Sequence, residues 1–186
     1  MLPLKNITKS WTLFLDRDGV INHEKHKDYI HKWDEFVFYD GVLEAMKVFN
    51  GIFNRIIVVT NQRGVGKGVT LLHDLEEIHD NMKMAVSNAG GRIDEVYFCP
   101  DVDESSPYRK PNPGMGIKAK AQFPEIDFSK SIMVGNTLSD MEFGRNLGSY
   151  TVFLSTTRPE VSKDDNRIDL YLESLHQFAM MLSSQA

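Results

Sequence analysis

The strongest constraint on the fold is an alternation of two periodicities. Short β-branched or aromatic runs occur at Thr12–Leu15, Arg55–Val59, Glu95–Phe98, Ile132–Val134, Tyr150–Leu154 and, more weakly, Ile168–Leu172. Several are apolar almost throughout, which suits strands covered on both faces. Between them lie stretches with helical spacing. Val42, Ala45, Met46 and Phe49 form one such stripe. Leu71, Leu75, Ile78, Met82, Ala85 and Ala89 form another, with Asp74, Glu76, Glu77, Asp80 and Lys83 facing away. Thr70 reads as an N-cap of this second helix, and Gly90-Gly91 as its stop. Asn112-Pro113 reads as the N-cap and first residue of a third helix. Thr137 or Ser139 caps a fourth, which ends at Gly148. Such alternation predicts a parallel sheet with helices on both faces, a three-layer, Rossmann-like α/β fold.

The chain of 186 residues supplies one good-sized core, so residues 1–186 read as a single domain. No repeat or linker divides it, and the longest irregular stretch is Cys99–Pro113. The net charge of -5 gives no electrostatic footprint for nucleic acid. Cys99 is the only cysteine, which excludes an intrachain disulfide and suits a reducing compartment. No run approaches 18 apolar residues, and the first residues lack an apolar signal region. These features predict a cytoplasmic monomer with no membrane partner.

In a parallel α/β sheet, ligands bind beyond the carboxyl ends of the strands. The residues that follow each run are therefore the informative ones. Asp16 and Asp18 follow the first, in LFLDRDGVIN. Alternate residues share a face, so both carboxylates point into one site while Arg17 turns away. Two such close charges need solvation or a cation to offset their repulsion. Thr60-Asn61-Gln62-Arg63-Gly64 follows the second run. Arg109-Lys110-Pro111 ends the long loop, and Gly135-Asn136-Thr137-Leu138-Ser139-Asp140 follows the fourth.

Asp16, Asp18, Asn136 and Asp140 make an all-oxygen set that suits Mg²⁺. A hydroxyl, an amide and a lysine make an anion cradle. A carboxylate beside Mg²⁺ and such a cradle can attack phosphorus and form an aspartyl-phosphate. The second carboxyl then protonates the leaving oxygen and later deprotonates water. A small-molecule phosphate is the substrate this chemistry predicts.

The motifs DRDG, TNQ, RKP and GNTLSD resemble, in order and spacing, the four motifs of the haloacid-dehalogenase-type phosphohydrolases. The likeness runs from about Trp11 to Leu172. The runs DYIHKWDEFVFYDGVLEAM and VVTNQRGVGKG are similar to the small, nearly capless heptose bisphosphate phosphatases. Histidinol-phosphate phosphatases are the next likeness. The resemblance implies a five-stranded parallel sheet with Asp16 on a central strand, a short flap over about residues 20–40, and a minimal cap. It implies Asp16 as nucleophile and Asp18 as general acid/base, with the Asp18 backbone carbonyl also on Mg²⁺. Thr60 and Lys110 hold the phosphoryl group. Asn61, Gln62, Arg63 and Arg109 line the substrate side, with Asp28 and Tyr29 of the flap and Thr137.

Two departures from the resemblance stand out. The similar enzymes carry a Cys-x-His, Cys-x-Cys zinc loop before Arg-Lys-Pro, within the region of residues 99–113. Here Cys99 is followed by Asp101, Ser106 and Tyr108 at the other three positions, so no zinc is expected and packing should hold the loop. Asn136 stands where the relatives place a metal-binding acid, which leaves room for an impaired enzyme or a binding protein. A phosphotransferase shares the same first half-reaction. His23-Glu24-Lys25-His26 lacks the spacing of a zinc-protease motif, and Gly64-Val65-Gly66-Lys67-Gly68 lacks that of a P-loop. Met82, Met84, Met115 and Cys99 read as packing residues.

Overall fold

The computed structural model describes residues 2–184. One all-parallel sheet holds β1 (Thr12–Leu15), β2 (Arg55–Asn61), β3 (Glu95–Cys99), β4 (Ser131–Gly135), β5 (Tyr150–Leu154) and β6 (Leu170–Leu172). Their spatial order is β3-β2-β1-β4-β5-β6. The sheet thus has six strands rather than five. The weak run near Ile168 supplies the sixth, which pairs along Val152–Leu154. From β1 the chain winds outward through β2 and β3, then returns to the other side of β1 for β4. That reversal places the ligand crevice at the carboxyl ends of β1 and β4.

Among the described residues there are six α-helices: α1 (Val42–Ile52), α2 (Arg63–Gly66), α3 (Leu72–Asn88), α4 (Gly114–Gln122), α5 (Leu138–Leu147) and α6 (Leu175–Ser183). The period of two along β1 sorts its side chains between layers. Leu13 and Leu15 join the core built with α1, α3 and α6, which includes Phe49, Ile78 and Phe178. Phe14 joins the core on the opposite face, with Ile57, Val59, Met115 and Phe143. The same parity sends Arg17 toward the α3 side.

Four local expectations need correction. Thr70 does not cap α3, which starts from Leu71 with no side-chain cap bond. The Thr70 hydroxyl instead pairs with His31 Nδ1 at 2.8 Å. Leu71 lies outside the core and is exposed, because α3 buries Leu75, Ile78, His79, Met82 and Val86. Met84 is likewise exposed, whereas Met82 and Met115 are buried. Asn112 sits one residue before the Pro113 cap of α4, and its amide donates to Ser106 O at 2.8 Å. Thr137 does cap α5, and Gly148 ends it with a φ of 79°.

Candidate active site

The ladder of β1 extends one residue past the strand, with Asp16 N donating to Val134 O at 3.0 Å. This fixes the Asp16 backbone at the mouth of the crevice. Its Oδ1 accepts from Arg17 N at 2.7 Å and from Lys110 Nζ at 2.9 Å. The ammonium also reaches Asp140 Oδ1 at 2.6 Å and Val59 O at 2.8 Å. All three donors of Lys110 are thereby used. Asn61 locks the Lys110 backbone through a reciprocal pair, Nδ2 to Lys110 O at 3.1 Å and Lys110 N to Oδ1 at 3.0 Å. The loop before α4 is thus tied to the end of β2, and Lys110 is carried into the site.

Asp140 owes its place to the cap of α5. Its Oδ2 accepts from Thr137 N at 3.0 Å and Thr137 Oγ1 at 2.7 Å. With Oδ1 on Lys110, both oxygens of this expected metal ligand are engaged by the protein. Asn136 comes in beneath Gly19, whose φ of 82° requires glycine. A Cβ at that position would lie 2.0 Å from Asn136 Nδ2. Thr157 Oγ1 accepts from Asn136 Nδ2 at 2.6 Å, and Thr156 Oγ1 donates to Gly19 O at 2.5 Å.

Asp18 is held differently. Arg17 turns away as its parity requires, is fully buried, and then bends back to its neighbour. Arg17 Nη2 lies 2.8 Å from Asp18 Oδ1 and 2.9 Å from Oδ2. Asn22 Nδ2 adds a bond to Oδ1 at 2.9 Å, and Gln62 Nε2 one to Oδ2 at 2.8 Å. Gln62 also donates to Thr60 Oγ1 at 2.9 Å, so it links the second carboxylate to the expected phosphate-holding hydroxyl.

The two carboxylates therefore have opposite characters. Burial pushes Asp16 up to about 7; the charge of Lys110 opposes this and that of Asp140 adds to it. Burial also works to raise Asp18. The charge of Arg17 and the bonds from Asn22, Arg17 and Gln62 outweigh it and hold Asp18 below the ordinary carboxylate range. Lys110 stays charged, because the pull of Asp140 and Asp16 exceeds the cost of burying the ammonium.

One pocket gathers most of the expected residues: Asp16, Asp18, Thr60, Asn61, Lys110, Asn136, Thr137 and Asp140. Glu24 and Ser139 line it too. The remaining expected residues, Asp28, Tyr29, Gln62, Arg63 and Arg109, are not among those that line it. Asp28 is exposed on the flap and pairs with His31 Nε2 at 3.2 Å. Tyr29 is half-buried beneath Lys67, whose Nζ is 5.6 Å from the ring centroid. Arg63 opens α2, and its Nε is buried with no partner among the described residues. Arg109 turns to its own loop, where Nη1 donates to Asp101 O at 3.3 Å. Thr156 and Thr157 were not singled out from the sequence. They follow β5 within three residues, so the same strand-end rule points to them.

The four positions at which the resemblance places a zinc loop, Cys99, Asp101, Ser106 and Tyr108, lie close together. Ser106 Oγ donates to Asp101 Oδ2, lies 4.0 Å from Cys99 Sγ and accepts from Tyr108 N at 3.3 Å. Hydrogen bonds, rather than the expected packing alone, close the loop. Burial raises the Cys99 thiol, which keeps it neutral.

The donors in the pocket fit a hard cation. Lys110 is one cation between the buried carboxylates of Asp16 and Asp140, while Asp18 is matched by Arg17. With both carboxylates ionised, the Asp16–Lys110–Asp140 group is short of one positive charge. Asn136 Oδ1 is buried with no partner among the described residues, and the contacts of Asp16 with Arg17 N and Lys110 Nζ both fall on its Oδ1. Asn136 Oδ1 and Asp16 Oδ2 are hard oxygens. Among the described residues no three Asp, Glu, His or Cys side chains converge as a cage; the carboxylates of Asp18 and Asp140 are held by Arg17 and Gln62 and by Thr137 and Lys110.

A family model described as polynucleotide kinase 3 phosphatase matches residues 12–176. The chain belongs to this haloacid-dehalogenase-type phosphatase family. It is 33% identical over 171 residues to the D-glycero-alpha-D-manno-heptose-1,7-bisphosphate 7-phosphatase of Mycobacterium tuberculosis, covering 91% of this chain and 90% of that one. It is 32% identical over 183 residues to the corresponding beta-anomer phosphatase of Escherichia coli, covering 93% and 94%. A crystal structure of a D,D-heptose 1,7-bisphosphate phosphatase from B. bronchiseptica, complexed with magnesium and phosphate, superposes with a TM-score of 0.83 at 26% identity. That match covers 95% of this chain and 99% of the other. The stretches that close β1, β2 and β4, and Lys110 at the end of the loop after β3, all contribute residues to this pocket.

Proposed function

We propose that this phosphatase hydrolyses a small sugar phosphate through an aspartyl-phosphate, with D-glycero-D-manno-heptose 1,7-bisphosphate the leading substrate. Asp16 attacks phosphorus, and the bond from phosphorus to the sugar oxygen breaks. Asp18 gives that oxygen a proton, then takes one from the water that attacks the acyl phosphate. Inorganic phosphate leaves and Asp16 is regenerated. The state described holds Asp18 as a carboxylate, the form that activates water. Thr60 and Lys110 face the phosphoryl oxygens from the pocket wall. Asp16, Asn136 and the Asp18 backbone carbonyl would hold Mg²⁺, which would supply positive charge to the pocket. Asp140 acts through Lys110, which it orients.

The observation that carries this reading is Asp16 at the tip of the central strand, 2.9 Å from a buried ammonium and beside a second carboxylate with its own counterion. The names of the relatives favour a heptose bisphosphate and include both anomers. The polynucleotide in the family description finds no support in a chain of net charge -5. Histidinol phosphate is the alternative small substrate. The neutral Asn136 favours one other reading, a weakened enzyme that has become a binding protein.

Phosphate release with Mg²⁺, with and without chelator, tests the proposal. The panel holds both heptose bisphosphate anomers, hexose phosphates, histidinol phosphate and nucleotides. Chelator-sensitive release from a heptose bisphosphate, abolished in Asp16→Asn, is the expected result. No release from any substrate transfers the weight to the binding reading, and full activity in Asp16→Asn sinks the mechanism.

A further inference from the structure

We infer that His79 of α3 is a positioning residue for the chemical step: it holds the Arg17 guanidinium in the plane that presents the Asp18 carboxylate to the pocket. This rests on the hydrolase reading above.

His79 occupies a place on the buried face of α3 that the helical stripe would give to an apolar side chain, between Leu75 and Met82. Its ring lies 5.8 Å from that of Phe98. Its Nε2 is 3.2 Å from Arg17 Nη1. A guanidinium carries donors only, so Nε2 must accept and the ring proton must sit on Nδ1. Burial, together with the charge of Arg17, depresses His79 to about 3, in keeping with a neutral ring.

Arg17 is enclosed completely, and its polar partners are few. Nε and Nη2 face Asp18, and Nη1 faces His79. Phe36 stands near the guanidinium, with its ring centroid 6.0 Å away. Asp18 fixes one edge of the guanidinium and follows it in any rotation. His79 fixes the other edge from a 17-residue helix anchored in the core. Without that lone pair, the Arg17–Asp18 pair can turn as a unit against Asn22 and Gln62. A carboxylate that must address both a leaving oxygen and a water tolerates little misplacement.

Nitrogen NMR of the unmodified protein reads the tautomer directly, and three variants read the role. The expected result is an Nδ1-protonated ring in the wild type. His79→Leu and the shorter His79→Asn should lose roughly tenfold or more in kcat with KM changed less than twofold. His79→Gln offers an amide oxygen near the place of Nε2 and should recover most of kcat. The Arg17 Nε–H signal should exchange slowly in the wild type, broaden or vanish in His79→Leu, and return in His79→Gln. His79→Asn keeps the test open should His79→Leu fail to fold. An Nε2-protonated ring overturns the inference. So does wild-type kcat in His79→Leu or His79→Asn, even with a lowered melting temperature. A wild type that turns over no phosphomonoester sinks the hydrolase reading and the catalytic meaning of His79 together, whereas an unchanged variant beside an active wild type sinks only the latter.

Discussion

Replacing Lys110 by methionine removes one charge from a chain and exposes how the pocket is balanced. The ammonium lies 2.9 Å from Asp16 and 2.6 Å from Asp140, with its side chain only 2% exposed. At an effective dielectric constant of about 20, each contact contributes roughly 6 kcal/mol of gross attraction. Desolvation offsets most of that, and removing one partner of a buried pair costs about 3–5 kcal/mol net. Here the loss also leaves two carboxylates facing each other and Val59 O without its donor. For a chain of this length the cost corresponds to a fall in melting temperature of roughly 6–20 °C. Lys110→Met should show that fall in chelator, and Mg²⁺ should restore part of it, because a cation can take over the neutralising role. Turnover should drop about 10²–10³-fold even with Mg²⁺, through loss of a preorganised donor. Thermal denaturation with chelator and with Mg²⁺ decides the matter. A chelated variant that melts within 2 °C of the wild type, a threshold of roughly half a kcal/mol or so, would show that Lys110 does not neutralise the pair.

Three further perturbations probe the same pocket. Asn136→Asp adds a charged oxygen where a neutral one is unpartnered, so Mg²⁺ affinity by calorimetry should rise roughly tenfold or more; an unchanged affinity would remove Asn136 from the cation site. Asp16 has a folded-state pKa raised from 3.8 to about 7, so the folded state holds its proton more tightly than the unfolded chain does. Its contribution therefore worsens as pH rises through that window. In chelator, the wild type should lose stability relative to Asp16→Asn between about pH 4 and pH 7, and a difference flat with pH would contradict the raised value. Gly19→Ala forces a Cβ onto Asn136 at a positive φ and should cost about 2 kcal/mol or more in denaturant melts, with loss of activity.

Much of the fold was legible because the strand runs are local and nearly all apolar. The strand-end rule points to Asp16, Asp18, Thr60 and Asn136, the end of the long loop points to Lys110, and parity turns Arg17 from the pocket. What parity does not reveal is the return of the Arg17 guanidinium to its own neighbour, which depends on a long side chain meeting α3. Thr70 has the right type and place for a helix cap, yet its hydroxyl is taken by His31, 39 positions away. Leu71 and Met84 fit an apolar pattern but lie where no layer covers them. Gln62 and Asn61 were expected to meet substrate; Gln62 connects Thr60 to Asp18, and Asn61 secures the Lys110 backbone as well as lining the pocket. Such second partners come from tertiary packing and leave no local mark in the sequence.

The loop from Cys99 to Lys110 ends in the residue on which the charge balance of the pocket depends. Its closure uses a hydroxyl, a carboxylate and a backbone N–H beside a neutral thiol, all of them carried by the chain. Delivery of Lys110 to Asp16 and Asp140 therefore depends on hydrogen bonds made within the loop. Loosening Ser106 would then reach the charge balance of the pocket without touching any residue that lines it.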